Sequence, residues 1–245
     1  MSEPRRISYG SDPAQFGELY LPQRAEHPGT VVIVHGGFWR ARYALDLGRP
    51  LAADLVAHGF AAWNIEFRRV GNGGGWPTTA GDVAAAIDRL AELDVDTTRV
   101  VAVGHSAGGH LAVWAAGRAE AAVPLAGTVS QAGVLDLVAA HRERLGSGAV
   151  DAFVGGSPDE FPEQYLAADP LRAAPLDVPV LCVHARADDT VPISQSEAYV
   201  AAAAGRASLR IEPGDHFTVI DPQHRSWAVV RDALPDLLAG RLPTA

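Results

Sequence analysis

Lysine is absent from the 245 residues, so arginine carries every basic side chain apart from histidine, and the formal net charge is −9. No basic run is present, and a nucleic-acid partner, whose phosphates demand a basic face, is not expected. Cysteine occurs once, which rules out an internal disulfide. That residue, Cys182, lies in the apolar run VPVLCVHA and reads as buried filler, compatible with a reducing compartment. Long apolar runs are also missing, since none approaches the ~18 residues of a spanning helix. The opening stretch MSEPRRISYGSD has arginines with no apolar segment after them. The expectation is a cytoplasmic protein without membrane contact. Neither an H-E-x-x-H pattern nor a paired cysteine set is there to hold a metal, and no cofactor is expected.

What is present suits a globular chain: 48% hydrophobic residues and a mean hydropathy close to zero. The length fits one α/β domain over residues 1–245, with little room for a second. Short apolar runs alternate with helical patterns. Ile7 to Tyr9 and Phe16 to Leu21, separated by Gly10 to Pro13, read as an antiparallel hairpin. Strands are expected at Thr30 to Val34, Phe60 to Ile65, Leu125 to Ser130, Val180 to His184 and Ser208 to Ile211. Between them Leu47, Leu51 and Leu55 recur at helical spacing, as do Val83, Ile87 and Leu90 behind a Thr79/Asp82 capping box. Ser194 and Glu197 read as a cap for the next helix, and a final helix falls within Pro222 to Leu238. From Gln131 to about Pro179 the alternation loosens, which predicts a small cap inserted between strands. The fold class is α/β with a largely parallel sheet, whose functional loops lie at the carboxyl ends of the strands.

The most informative stretch is VVAVGHSAGGHL, Val100 to Leu111. A β-branched run stops at Gly104, and Ser106 is followed at once by small residues and a helical pattern. The G-x-S-x-G spacing from Gly104 to Gly108 predicts a strand, a strained turn presenting Ser106 Oγ, and a helix. Unpaired N–H groups at that helix start favour developing negative charge, so the Ala107 amide is a candidate oxyanion donor. The second informative stretch is HGGFW, His35 to Trp39, directly after a buried strand. Its glycines let the backbone turn N–H groups inward, making the Gly37 and Phe38 amides the other candidate donors. RRVGNGGGWP, Arg68 to Pro77, lacks the lysine and strand–helix context of a phosphate cradle and reads as a flexible loop.

A serine hydroxyl is a weak nucleophile, so an imidazole must take its proton, and a carboxylate must fix that imidazole's tautomer. His216 and Asp188 both fall in loops after strands and are assigned as base and orienter. Asp189 beside Asp188 remains an alternative. Asp215, His184 and His224 are also near, and the two histidines are more easily read as structural. Trp39, Trp76, Tyr165 and Phe217 are the aromatic candidates for a substrate pocket. The oligomeric state is not legible from the string.

With these motifs in place the chain resembles the α/β-hydrolase superfamily over nearly its full length, and within it the small HGGxW esterases, which include kynurenine formamidase-like and feruloyl-esterase-like proteins. His35 to Trp39, Gly104 to Leu111, Asp188 to Pro192 and Asp215 to Phe217 carry the resemblance. It implies a mostly parallel twisted sheet flanked by helices, a Ser-Asp-His order along the chain, and cofactor-independent hydrolysis of small carboxylic esters or activated aryl-formyl-type amides. ADDTVPISQS also resembles the acid loop of prolyl-oligopeptidase-type hydrolases, in which the first aspartate acts, and this favours Asp188. Such proteins usually carry glycine after the strand-ending histidine, where this chain has Ala185. Short-peptide hydrolysis and a non-catalytic binding module retaining the fold are the alternatives.

Overall fold

The computed structural model describes residues 3–243, so two residues at each end of the expected 1–245 unit lie outside it. Eight strands form among the described residues: β1 (Arg5–Ser8), β2 (Phe16–Tyr20), β3 (Thr30–Val34), β4 (Ala61–Ile65), β5 (Val100–His105), β6 (Gly127–Gln131), β7 (Val180–Ala185) and β8 (Ala207–Glu212). They join one sheet in the order β1-β2-β4-β3-β5-β6-β7-β8. β2 runs antiparallel to both of its neighbours, which gives the expected hairpin at one edge. From β4 to β8 every neighbouring pair is parallel. This is the α/β-hydrolase architecture.

The helices that cover the sheet are α1 (Arg49–Ala57), α2 (Thr78–Asp88), α3 (Ala107–Ala116), α8 (Ser194–Ala202) and α9 (Arg225–Leu238). Between β6 and β7 lie α4 (Leu137–Arg142), α5 (Leu145–Val154), α6 (Pro162–Ala168) and α7 (Pro170–Ala173), the helical content of the expected cap. Every residue of β3, β5, β6 and β7 is buried, as β-branched runs covered on both faces require. Alternate residues separate the two faces. Val32, Val34 and Ala102 pack with Val83, Ile87 and Leu111 of α2 and α3, whereas Val31, Ile33 and Val101 meet Leu51 and Leu55 of α1 and Trp227, Val230 and Leu234 of α9.

β4 and β5 flank β3 on opposite sides, so the strand order reverses between β3 and β5. A crevice opens at the carboxyl ends of strands at such a reversal. The HGGFW loop leaves β3 at that point, and Ser106 leaves β5 beside it.

Two expected caps are corrected because the helices begin earlier than their patterns suggest, by two residues in α2 and by one in α8. α2 starts at Thr78 without a side-chain cap, so Thr79 is its second residue and its hydroxyl turns away from the helix end. Thr79 Oγ1 donates to the Arg68 carbonyl (2.7 Å) and accepts from the Gly75 amide (2.9 Å). Asp82 binds the Arg68 guanidinium (2.7 Å) and Gln15 (2.7 Å). Both side chains therefore close the glycine-rich loop. Ser194 is likewise the first residue of α8, preceded by helical backbone at Ile193, and makes no cap.

Candidate active site

Ser106 has φ 55 and ψ −121, a left-handed position that costs a non-glycine residue about 1–3 kcal/mol and persists only when its surroundings enforce it. Here they do. The Ser106 amide donates to the Gln131 carbonyl (2.8 Å), and its carbonyl accepts from the His110 amide (3.1 Å). A Cβ at Gly104 would stand 2.0 Å from the Gly108 carbonyl oxygen, and one at Gly108 would stand 2.1 Å from that of Val34. Both glycines are thus demanded by backbone approach. A Cβ at Gly36 would lie 3.1 Å from Ser106 Cβ, so the HGGFW loop packs directly on the serine turn.

Within that loop Gly37, Phe38 and Trp39 all have positive φ, at 118, 52 and 54. The amides of Gly37, Phe38 and Ala107 have no acceptor among the described residues. Ala107 opens α3, where the first N–H groups lack intrahelical partners. The loop is anchored from behind by His35 and Glu66, a contact that no motif in the sequence marks. His35 Nε2 lies 3.1 Å from Glu66 Oε1, its ring stacks on Phe67 at 4.4 Å, and Arg69 approaches the same carboxylate at 3.0 Å. Burial alone would raise the pKa of Glu66, but the His35 hydrogen bond and the neighbouring positive charge hold it below the usual carboxylate range.

Trp39 has a role other than the one expected. It is 1% exposed, stacked on Phe153 at 4.6 Å, and its Nε1–H donates to His110 Nδ1 at 3.2 Å. His110 Nε2–H in turn donates to the Ala168 carbonyl at 2.9 Å. One chain of bonds thus ties the loop after β3, the helix after the serine, and the cap. Burial pushes the His110 pKa down to about 4, so the neutral tautomer this chain requires is maintained. Trp39→Phe would keep the stacking and leave His110 Nδ1 unpaired. The expected result is a loss of about 1–3 kcal/mol in stability, read by urea unfolding, because a buried acceptor without a partner keeps its full desolvation penalty.

The remaining aromatic candidates lie in different surroundings. Tyr165 is buried and its hydroxyl donates to the Gly156 carbonyl at 3.1 Å within the cap. Trp76 is half-buried, edge-on to Trp114 at 5.5 Å. Of the four, Phe217 is the exposed one at 57%, with its ring edge-on to His216 at 5.5 Å. The cap meets the loop elsewhere. Arg144, Gly146, Ser147 and Gly148 are all left-handed, Arg40 Nη2 donates to the Gly146 carbonyl at 2.6 Å, and a Cβ at Gly146 would stand 2.6 Å from the Phe38 ring.

His216 and Asp188 come together across two loops, with Nδ1 2.7 Å from Oδ2. Asp188 Oδ1 accepts from the Thr190 and Val191 amides at 2.9 and 2.8 Å. His184 Nε2 stands 3.4 Å from Oδ2. Burial opposes ionisation of Asp188, but the hydrogen bonds from His184, His216 and Val191 outweigh it and hold the carboxyl far below its usual range. The rivals are engaged elsewhere. Asp189 is exposed and accepts from its neighbour Thr190, Asp215 accepts from the Phe217 and Thr218 amides, and His224 caps α9. Ser106 is 2% exposed, and its hydroxyl makes no hydrogen bond among the described residues. His216 reaches the serine turn through its backbone, where its carbonyl lies 2.9 Å from Nε2 of His105.

The fold and the family match make this an α/β-hydrolase of the esterase type. Residues 18–202 match the BD-FAE family model, more than half of the chain, and the chain belongs to that family. Among known proteins it is similar to the uncharacterized protein YfhR of Salmonella typhi, 28% identical over 229 residues, covering 91% of this chain and 73% of that one. Among solved structures it is similar to a truncated carbohydrate esterase from gut microbiota, with TM-score 0.81, 23% identity, and coverage of 96% of this chain and 95% of that one. Esterase B of Lactobacillus rhamnosis superposes with TM-score 0.80 at 21% identity, covering 97% of this chain and 84% of that one. A thermophilic esterase, Est2, of Thermogutta terrifontis gives 0.73 at 22%, covering 99% and 97%. At such identities the superpositions speak to the fold.

Proposed function

We propose that the chain is a serine esterase acting on small carboxylic esters through an acyl-enzyme, with Ser106 as nucleophile, His216 as base and Asp188 as its orienting carboxylate. The observation that carries this is the 2.7 Å contact from His216 Nδ1 to Asp188. An ionised Asp188 only accepts, so Nδ1 carries the ring proton and Nε2 keeps its lone pair. Nε2 takes the proton of Ser106 Oγ as that oxygen attacks the ester carbonyl, then returns it to the leaving alcohol. The amides of Gly37, Phe38 and Ala107 receive the oxyanion. Water activated by the same imidazole releases the acid. Activated aryl-formyl-type amides are within reach of the same chemistry, because their leaving groups need the same proton. Phe217, exposed beside His216, offers an apolar face to an acyl or leaving group. The lone buried thiol of Cys182, pushed up to about 12 by burial, suits a cytoplasmic setting.

A fluorophosphonate probe tests the nucleophile directly. Wild type is expected to be labelled and Ser106→Ala to remain unlabelled, whereas a folded wild type that takes no label overturns the proposal. Comparing kcat/KM for p-nitrophenyl acetate, a feruloyl ester, N-formylkynurenine and an aminoacyl arylamide then ranks ester against amide chemistry, with the short ester expected first.

A further inference from the structure

The loop carrying His216 is held from beneath at two carbonyls. His105 Nε2 lies 2.9 Å from the carbonyl oxygen of His216, and Gln131 Nε2 donates to that of Val219. Carbonyl oxygens can only accept, so both supporting side chains are fixed in orientation. His105 must carry its proton on Nε2, which leaves Nδ1 as an acceptor. Gln131 must turn its nitrogen toward Val219, which leaves Oε1 as an acceptor. These two leftover acceptors are buried and have no protein partner. Both residues line one small cavity at the ends of β3, β5 and β6, walled also by Gly36, Val103 and Ile220. Its volume, about 10 Å³ for the centre of a water-sized sphere, matches the space one water needs.

We propose that a single water molecule belongs in this cavity, donating one hydrogen to His105 Nδ1 and the other to Gln131 Oε1, and that His105, Gln131 and this water form a clamp that positions the His216 loop. Two unpartnered acceptors on residues that line one small space call for a molecule with two donors, and water supplies both. Burial, foremost, and the nearby His216 push the His105 pKa down to about 3, so the ring stays neutral and Nδ1 stays an acceptor. His105 immediately precedes Ser106 on β5, so the same strand end that carries the serine also carries the support of His216. The spacing between base and nucleophile is thereby set through one residue. His105 is a positioning residue, and the proposal rests on the assignment of His216 as base.

The test uses substitutions that separate the donor from the volume. His105→Leu removes both polar edges, whereas His105→Gln restores an amide N–H near the Nε2 position. His105→Leu is expected to lower kcat on p-nitrophenyl acetate by about 10- to 100-fold with KM little changed, the size of effect that misplacing a reacting group by about 1 Å produces. His105→Gln should recover most of that loss. Equal kcat losses in the two variants would assign the effect to lost ring volume and overturn the clamp. Two readouts need no activity. Ring ¹⁵N shifts of His105 should report the Nε2–H tautomer, and a high-resolution crystal structure should show one water between the two acceptors. An Nδ1–H tautomer or an empty cavity overturns the proposal. A wild type that shows the water and the tautomer but takes no fluorophosphonate supports the clamp and removes the base assignment instead.

Discussion

Ser106→Ala is expected to lower kcat for ester hydrolysis on the order of 10⁶-fold, because the members of such a trio act as a unit. The substitution removes one oxygen that makes no hydrogen bond among the described residues. The backbone contacts that hold the turn, to Gln131 and His110, remain. The thermal midpoint should therefore stay within a degree or two while turnover disappears, and a melt recorded beside the kinetics separates the two effects. His216→Ala should cost about as much, and the double variant little more than either alone. A residual rate above the uncatalysed reaction is expected from the amides of Gly37, Phe38 and Ala107, which neither substitution touches. If Ser106→Ala kept a tenth of the wild-type kcat, another group would be the nucleophile.

Much of the fold was legible because its determinants are local. A run such as Thr30 to Val34 offers the backbone little besides a strand, and leucines four apart at 47, 51 and 55 offer little besides a helix. The serine turn was legible for the same reason. Gly104 and Gly108 are required by backbone atoms within a few residues or one neighbouring strand, and such constraints leave a spacing in the sequence. What lay outside the string is pairing over distance. His105 meets a carbonyl 111 residues away, and His110 meets one 58 residues away. Glu66 meets a histidine 31 residues before it, although a carboxylate closing the apolar run AAWNI was a signal that a buried partner exists. Trp39 shows how local conformation redirects a side chain. Its place in the HGGFW loop made it a candidate pocket wall, but with Phe38 and Trp39 both left-handed the indole turns into the core against Phe153 and His110. The choice between Asp188 and Asp189 depended on the shape of one turn, in which the Thr190 and Val191 amides gather Asp188 Oδ1 and leave Oδ2 facing His216.

Asp188→Asn is expected to lower kcat by about 10⁴-fold while leaving KM nearly unchanged. The amide has one oxygen, and the Thr190 and Val191 amides, which donate to Oδ1 at 2.9 and 2.8 Å, claim it. Its NH₂ then faces His216 Nδ1, so the imidazole must accept there and move its proton to Nε2. A protonated Nε2 cannot take a proton from Ser106, and catalysis fails although the shape of the site is preserved. The exposed neighbour gives the control, since Asp189→Asn should stay within about twofold of wild type. Stability follows a definite sign. The Asp188 carboxyl titrates below its ordinary value in the folded chain, so its contribution is fully present above the unfolded pKa of about 3.9 and is lost as pH falls through the folded value. The gap in urea stability between wild type and Asp188→Asn should accordingly be widest at neutral pH and narrow as the solution is acidified below about pH 4. A gap that grew on acidification would mean that Asp188 is not held ionised by His184 and His216, and the tautomer assigned to His216 would fall with it.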